Sequence, residues 1–195
     1  MPFTDAQIRR HNKLYGRGCS LIRKHVLIHG ESRLAWPSWL ARWRLRRGIA
    51  LFQRALKINP DSWQSRFWIG KALQRLGDHG ESMSWFADAL RLDPTNTDIA
   101  LEAGNEALQL GDYRLALAMI RPAAERYPEH AALQHNLGLA QLLGGQAQEA
   151  YESFSRAAAV RSDPLTANLV RTARLVLTGE RPHPRTLQDL ESDAL

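Results

Sequence analysis

The chain has 195 residues, of which 44% are hydrophobic and 24% charged, with a net charge of +6 and a single cysteine, Cys19. This composition is typical of a folded protein and excludes a disordered one, and one cysteine excludes an internal disulfide. No run of about 18 apolar residues occurs, which excludes a membrane-spanning helix. Because the N-terminus also lacks the apolar core of a secretory signal, we expect a cytoplasmic protein.

The charge is distributed unevenly along the chain. Residues 1–60 contain 13 Lys and Arg and only two acidic residues, Asp5 and Glu31, a balance of +11. Residues 61–195 contain 13 basic and 18 acidic residues, a balance of −5. We therefore expect any attraction to an acidic partner to be concentrated in the N-terminal third.

Residues 1–37 are predicted to form a basic N-terminal extension that is helical and partly packed on the rest of the protein. Gly16 and Gly18 interrupt its helical pattern, so we place a short helix after them, at about residues 20–28. This helix carries Leu21, Ile22 and Val26, which are suited to cover the tryptophans that follow.

All six tryptophans lie between Trp36 and Trp85, and two of them belong to a predicted helix over residues 38–58. One face of this helix is apolar. The opposite face mixes indoles with cations and is the second candidate surface: Trp39, Trp43, Arg46, Arg47, Arg54 and Lys57. If the preceding helix does not cover it, this face suits an acidic protein partner, an anionic membrane surface, or nucleic acid through phosphate contacts and stacking.

Four series of residues recur with a step of 34 positions. They are Pro60, Pro94 and Pro128; Gly70, Gly104 and Gly138; Gly77, Gly111 and Gly145; and Ala55, Ala89, Ala123 and Ala157. A fixed period of this length indicates helix–turn–helix repeats, with glycine at the turn inside each unit and proline ending its second helix. We predict complete repeats at residues 63–96, 97–130 and 131–162, preceded by a degenerate repeat at residues 38–62.

These residues resemble the tetratricopeptide repeat family, whose pattern places Leu-Gly, an aromatic residue, alanine and proline at set positions. The matching residues are Ile69-Gly70, Phe86, Ala89 and Pro94; Ala116, Ala123 and Pro128; and Leu137-Gly138, Ala150, Phe154 and Ala157. The resemblance covers residues 63–162 and, in part, residues 38–62. It implies an all-α fold, a right-handed α-solenoid whose concave groove is lined by the first helix of each repeat.

The resemblance also implies which side chains line that groove. Carried over by register, they are Gln64, Phe67, Lys71, Gln74, Asp98, Leu101, Asn105, Gln109, His135 and Leu139. This mixture suits an extended peptide or a helix of a partner. Some family members hold a C-terminal carboxylate with a lysine and an asparagine on one helix. Here Lys71 and Asn105 occupy the same place in successive repeats, so we do not predict that mode.

The last part of the chain is predicted to cap the repeats. Residues 163–179 fit one more amphipathic helix, with Leu165, Leu169 and Ala173 on its apolar side and Gly179 at its end. Residues 180–195 contain two prolines followed by alternating acids, which predicts a flexible tail.

Signals of catalysis are weak. His25 and His29 stand four residues apart, but no acidic residue completes a zinc-protease motif. Arg17 and Arg23 flank Cys19 and are of the kind that lowers a thiol pKa, although a cysteine without a chemical role is the simpler interpretation. We therefore predict no enzymatic activity, no metal and no cofactor.

The sequence thus predicts protein–protein interaction: an adaptor or scaffold that presents its groove to a peptide or helix of another protein. The excess of arginine over only four lysines indicates a GC-rich bacterial source. Two alternatives stay open. One is binding of nucleic acid or an anionic membrane surface through the basic, Trp-rich N-terminal region, and the other is a non-catalytic regulatory subunit of an enzyme complex.

Overall fold

The structure is a computed structural model that describes residues 3–26, 36–161 and 163–191. Within these ranges the chain forms helices and no strands, as the periodicity predicts. The elements are α1 (Asp5–Ile22), a 3₁₀ turn (Arg23–His25), α2 (Trp39–Leu56), α3 (Trp63–Leu76), α4 (His79–Leu92), α5 (Thr97–Gln109), α6 (Tyr113–Arg126), α7 (Ala131–Leu143), α8 (Ala147–Val160), α9 (Pro164–Leu177) and α10 (Leu187–Glu191).

The chain divides into two compact units, unit 1 (Met1–Asp93) and unit 2 (Pro94–Leu195). In unit 1 a buried cluster that includes Ile22, Leu45, Phe52 and Ile69 joins α1, α2 and α3. In unit 2 a cluster around Leu142, Phe154 and Leu169 joins α7, α8 and α9. Each unit therefore buries its own apolar side chains.

The ends of the helices follow from local sequence. The Ser62 hydroxyl accepts a hydrogen bond from the Ser65 amide at the start of α3, and the Asp112 carboxylate accepts one from the Leu115 amide at the start of α6, which satisfies amides that lack a partner within the helix. At the end of α3, Gly77 has φ +87°, a left-handed conformation that glycine adopts without steric cost. The Gly-Asp turns thus separate the two helices of a repeat.

Paired helices approach closely where the glycine series meets a large side chain. A Cβ added to Gly70 would lie 2.7 Å from the Phe86 ring, and one added to Gly138 would lie 2.7 Å from the Phe154 ring. Ser82, which stands 34 residues before Ala116, is buried and donates its hydroxyl to the Gly70 carbonyl at 3.0 Å. The residues that define the repeat therefore form the contacts between its two helices.

Helix α1 corrects the prediction for the N-terminal region. It runs unbroken through Gly16 and Gly18 and ends at Ile22, so the predicted interruption and the separate helix at about residues 20–28 are wrong. The α1–α2 pair repeats the contact seen in later pairs, because a Cβ on Gly18 would lie 2.8 Å from the Phe52 ring. Helix α1 thus occupies the place of a first repeat helix.

The α1–α2 pair departs from the period because of its connection. Gly18 and Phe52 are 34 residues apart, whereas Gly70 and Phe86 are 16 apart, so the connection is longer by 18 residues. Helix α2 begins directly after Pro37, with Ser38 as its N-cap. A fixed period cannot detect a repeat with such an insertion.

The chain after α9 also differs from its prediction. The Tyr113 hydroxyl donates to the Arg185 carbonyl at 2.8 Å, Arg181 donates to the Thr172 hydroxyl at 3.2 Å, and Leu190 packs on the α7–α9 cluster. Residues 180–191 are therefore held against unit 2, and the predicted flexible tail is wrong for them. Residues 192–195 lie outside the described part of the chain.

Helix α9 continues the register of first repeat helices, with one change. Thr172 stands 34 residues after Gly138, at the position that is glycine in α3, α5 and α7. Thr172 is buried, and Arg181 of the following segment contacts it. The segment 180–191 therefore contacts α9 at the side where the earlier first helices carry glycine.

Candidate protein-binding surfaces

The predicted groove residues of unit 1 differ in exposure. Gln64 is exposed, and Phe67 and Gln74 are half-buried. The Phe67 ring packs against Trp68 and Phe86, at centroid distances of 6.0 and 5.7 Å. Lys71 is only 4% exposed and donates to the Gln74 side chain at 2.7 Å. Phe67 and Lys71 thus contribute to packing inside unit 1.

The predicted groove residues of unit 2 also fall into two groups. Asp98 and Gln109 are exposed, and Asn105, His135 and Leu139 are half-buried. Leu101 is 1% exposed, so it offers no surface to a partner in this structure. Register alone does not separate Leu101 from its exposed neighbours, because burial depends on the surrounding helices.

Asn105 and His135 belong to a polar network across the first helices of unit 2. Asn136 of α7 donates its side-chain amide to the Asn105 oxygen of α5 at 2.7 Å. At the preceding residue of α7, the His135 Nδ1 lies 3.0 Å from the Thr166 hydroxyl of α9. The Thr166 hydroxyl in turn donates to the Asp163 carboxylate at 2.6 Å. The network therefore links α5, α7 and α9.

A cavity of about 300 Å³ opens beside this network. Its polar lining includes His135, Asn136, Arg161 and Asp163, and its apolar lining consists of alanines. Because the Thr166 hydroxyl donates to Asp163, it accepts from His135, which places the imidazole proton on Nδ1 and leaves Nε2 as an acceptor. The network thus fixes the orientation of the His135 ring beside the cavity.

Burial lowers the pKa of His135, although the nearby Asp163 carboxylate raises it. Hydrogen bonds from the Thr166 side chain and backbone hold the pKa of Asp163 below its usual range. At neutral pH the site therefore contains a neutral imidazole and an ionised carboxylate. Sequence reasoning included His135 and missed Asn136, Asp163 and Thr166, since these three do not repeat with the 34-residue step.

The second candidate surface lies on one face of α2. All six predicted residues, Trp39, Trp43, Arg46, Arg47, Arg54 and Lys57, are exposed. The opposite face is buried through Leu45 and Phe52, and Ile22 of α1 packs on it. The preceding helix therefore covers the apolar face of α2 and leaves the tryptophans uncovered, which corrects the interpretation that Leu21, Ile22 and Val26 cover them.

A second cavity, of about 350 Å³, lies in unit 1 between α1 and the turn before α3. It is lined by Ile8, His11 and Tyr15 of α1, by Asn59, and by the predicted groove residue Gln64. The Tyr15 hydroxyl accepts a hydrogen bond from the Trp68 indole at 3.0 Å, and burial raises its pKa to about 12. The sequence did not predict this cavity, because it placed α1 outside the repeats.

The described residues offer little for catalysis. Burial raises the pKa of Cys19, which opposes the activated thiolate that Arg17 and Arg23 suggested. Among residues 3–26, 36–161 and 163–191, no group of three His, Cys, Asp or Glu side chains is placed to hold a metal ion. Of the predicted histidine pair, His29 lies outside the described residues. In the part of the chain that is described, no helix is sufficiently long and apolar to span a bilayer.

These features define a protein built from helix–turn–helix repeats, the class that serves as a scaffold for protein interactions. A profile of the tetratricopeptide repeat family matches residues 40–97 and 101–165. The chain therefore belongs to the tetratricopeptide repeat family, whose repeats are protein-interaction modules.

Two curated relatives are similar to parts of this chain. BBSome complex member BBS4 of Bos taurus is 24% identical over 137 residues, 70% of this chain and 25% of that protein. BBSome complex member bbs-4 of Caenorhabditis elegans is 26% identical over 110 residues, 56% of this chain and 24% of that protein. The chain thus spans about a quarter of the length of these relatives.

Solved structures share the fold. A double mutant of MamA superposes with a TM-score of 0.71 at 14% identity, covering 98% of this chain and 96% of the other. YrrB, described as a TPR protein with an unusual peptide-binding site, superposes with a TM-score of 0.63 at 20% identity, covering 75% of each chain. At these identities the likeness concerns the fold alone.

Proposed function

We propose that this protein is an adaptor or scaffold that holds an extended peptide or a helix of a partner protein along the first helices of its repeats. The observation that carries the proposal is the polar network of unit 2, in which Asn136 pairs with Asn105 and His135 with Thr166, and Asn136, His135 and Thr166 line a cavity of about 300 Å³. The fold supports a scaffold role, and the network supplies groups suited to a peptide.

The amide pair is suited to a peptide backbone. An asparagine side chain has two donor hydrogens and an oxygen with two lone pairs, and the contact between Asn105 and Asn136 uses one donor and one lone pair. A peptide main chain presents donors and acceptors in the same way. We therefore expect the pair to bind backbone groups of the partner.

The cavity is suited to a partner side chain. Its alanines, Ala131, Ala132 and Ala157, give it an apolar wall, while Arg161 and the oriented His135 give it polar groups. Such a mixture of apolar surface with a few placed polar groups is typical of binding pockets. The peptide-binding description of YrrB, a protein with the same fold, also favours this function.

The test is selection of binding peptides from a displayed random library on the whole chain, followed by calorimetry of the selected peptides. We expect Asn105→Ala with Asn136→Ala to weaken binding about tenfold to a hundredfold, since each lost hydrogen bond costs about 1 kcal/mol. The matched control is Arg121→Ala with Glu125→Ala, two exposed residues of α6. If the asparagine variant binds the peptides as tightly as the wild type, or loses no more affinity than the control, the proposal is wrong.

Other parts of the predicted function stay predictions. A regulatory subunit would alter the rate of a co-purifying enzyme, and a cytoplasmic bacterial setting would be checked by fractionation of the source organism. The nucleic-acid and membrane alternatives depend on the face of α2, for which the structure favours another partner.

A further inference from the structure

Unit 1 exposes a group of large apolar side chains around the first half of α2. Trp36 is 70% exposed, Trp39 78%, Trp43 50% and Leu40 38%. Tryptophan is usually well buried in a folded chain, and exposed apolar groups of this size mark interaction sites. Trp36 also lies over the turn at Gly77, where a Cβ would be 3.2 Å from its ring.

Two of these indoles carry a guanidinium on one face. The Arg42 guanidinium carbon lies 5.8 Å from the Trp36 ring centroid, and that of Arg47 lies 5.3 Å from the Trp43 centroid. Stacking orders the guanidinium and leaves its N–H groups at the edge, where they can bind a carboxylate in a bidentate manner. Each pair therefore combines an apolar surface with a placed anion-binding group.

The surroundings are strongly cationic. Helix α2 contains no acidic residue, and Arg46, Arg54 and Lys57 are exposed on the same face. Residues 1–93 contain 17 Lys and Arg and 7 Asp and Glu, a balance of +10. Burial, followed by the charges of Arg44, Arg75 and Lys24, lowers the pKa of His25 in the same unit.

We propose that this Trp–Arg face, made of Trp36, Trp39, Leu40, Arg42, Trp43, Arg46 and Arg47, binds an acidic segment of a partner protein. Aspartate and glutamate carboxylates pair with the guanidiniums, and an apolar side chain of the segment packs between the indoles. Tryptophan and arginine are the residues that most often dominate the energy of protein interfaces. The proposal concerns a surface separate from the network of unit 2 and does not depend on it.

The geometry favours a protein segment over nucleic acid. Single-stranded nucleic acids bind by stacking bases on open aromatic faces, but Arg42 and Arg47 already cover one face of Trp36 and of Trp43. Only Trp39, the most exposed of the three, has no such guanidinium among the contacts described.

The geometry also favours a protein segment over a membrane. A helix bound at a bilayer surface inserts its apolar face, and in α2 that face is buried against α1 through Phe52 and Leu45. The exposed indoles share their face with stacked guanidiniums, which insertion would draw out of water. A segment with alternating acidic and apolar side chains can pair with the guanidiniums and pack on the indoles without moving either group.

The test measures fluorescence anisotropy of a short labelled peptide of alternating glutamate and leucine, titrated with the whole chain. We expect saturable binding to the wild type. The double variant Trp39→Ala with Trp43→Ala should bind at least about tenfold more weakly, and Arg46→Glu with Arg47→Glu should lose at least as much affinity. The matched control is Arg171→Glu with Arg174→Glu, which makes the same change in charge on exposed positions of α9. We expect it to bind within about twofold of the wild type, because α9 supplies none of the indoles and guanidiniums of the Trp–Arg face.

Four results would overturn the proposal. The first is equal loss in the α2 and α9 charge variants, which would indicate attraction to net charge alone. The second is equal binding of a lysine–leucine peptide. The third is tighter binding of single-stranded RNA or of anionic phospholipid vesicles that depends on Trp39 and Trp43. The fourth is self-association at the same concentrations that is abolished by the α2 variants, since a second copy would then be the occupant.

Discussion

Gly16 and Gly18, two residues apart in α1, have opposite surroundings. A Cβ on Gly18 would lie 2.8 Å from the Phe52 ring, whereas a Cβ on Gly16 would meet nothing within 4 Å. Phe52 is fully buried and has little room to move, because protein interiors are closely packed. The same type of residue therefore has a packing role at one position and only a conformational cost at the other.

We expect Gly18→Ala to lower the free energy of unfolding by about 1–3 kcal/mol through overpacking. Gly16→Ala should raise it by about 0.5–1 kcal/mol, because alanine favours a helix over glycine. Urea unfolding followed by circular dichroism measures both. Equal effects of the two substitutions would contradict the position of α1 against α2.

His135 predicts a pH dependence of stability. Its pKa in the folded protein lies below the ordinary value of 6.5, chiefly because of burial, with Asp163 opposing the shift. Between the folded and unfolded pKa values the unfolded chain binds more protons, so the free energy of unfolding falls as the pH drops below about 6.5. This contribution is complete above the unfolded pKa.

The check is urea unfolding of the wild type and of His135→Gln between about pH 7.5 and about pH 5.5, the range in which histidine titrates. The fall in stability should be smaller in the variant. Comparing the two removes the contribution of His25, whose pKa is also lowered. If the free energies of unfolding of the two proteins differ by the same amount at every pH, His135 does not have this role.

At the scale of elements, the segment 180–191 is shaped by hydrogen bonds within it and joined to unit 2 by others. The Arg185 and Thr186 amides donate to the Asp189 carboxylate at 2.7 and 3.0 Å. These bonds, chiefly that from the Arg185 amide, hold the pKa of Asp189 below its usual range. The Tyr113 hydroxyl of α6 donates to the Arg185 carbonyl of the segment.

Tyr113→Phe removes this contact with little change in shape. We expect it to loosen the segment by about 0.5–1.5 kcal/mol, the usual net value of one hydrogen bond. Hydrogen exchange should then become several-fold faster at the Arg185 and Thr186 amides, since local opening governs exchange. The amides of α5 serve as the internal reference. If the exchange rates of the Arg185 and Thr186 amides do not change, Tyr113 does not hold the segment 180–191.

At the scale of the whole molecule, charge divides in the same place as structure. Residues 1–93 have a balance of +10, and residues 94–195, with 9 basic and 13 acidic residues, have a balance of −4. The two candidate surfaces thus differ in chemistry: guanidiniums and indoles on α2, amides and an imidazole in unit 2. Each half of the chain is suited to a different kind of segment.

The sequence predicted the part of the fold that repeats and missed the part that does not. The 34-residue step located α3 to α8, because the contact of Gly70 with Phe86 recurs at the same sequence spacing in later repeats, as in that of Gly138 with Phe154. It missed α1 as a repeat helix, since the long connection after Ile22 shifts Gly18 out of step. It missed the ordering of residues 180–191, because Tyr113 and Arg185 meet only in the folded chain. For the candidate sites, the face of α2 followed from helical spacing, whereas the burial of Leu101 and Lys71 depends on neighbouring helices.

Thr172 also limits how such an array can grow by duplication. An inserted copy of a complete repeat brings its own glycine and its own Phe or Ile, so copies placed before α9 keep every pair in register. A second helix added after α9 would place a large side chain against the Thr172 Cβ, at the position where Gly70 and Gly138 leave room for a ring. Lengthening at that end therefore requires two coordinated changes, replacement of Thr172 by glycine and loss of the segment that Arg181 fastens to it. A further helix should accordingly dock beyond α9 only after both changes.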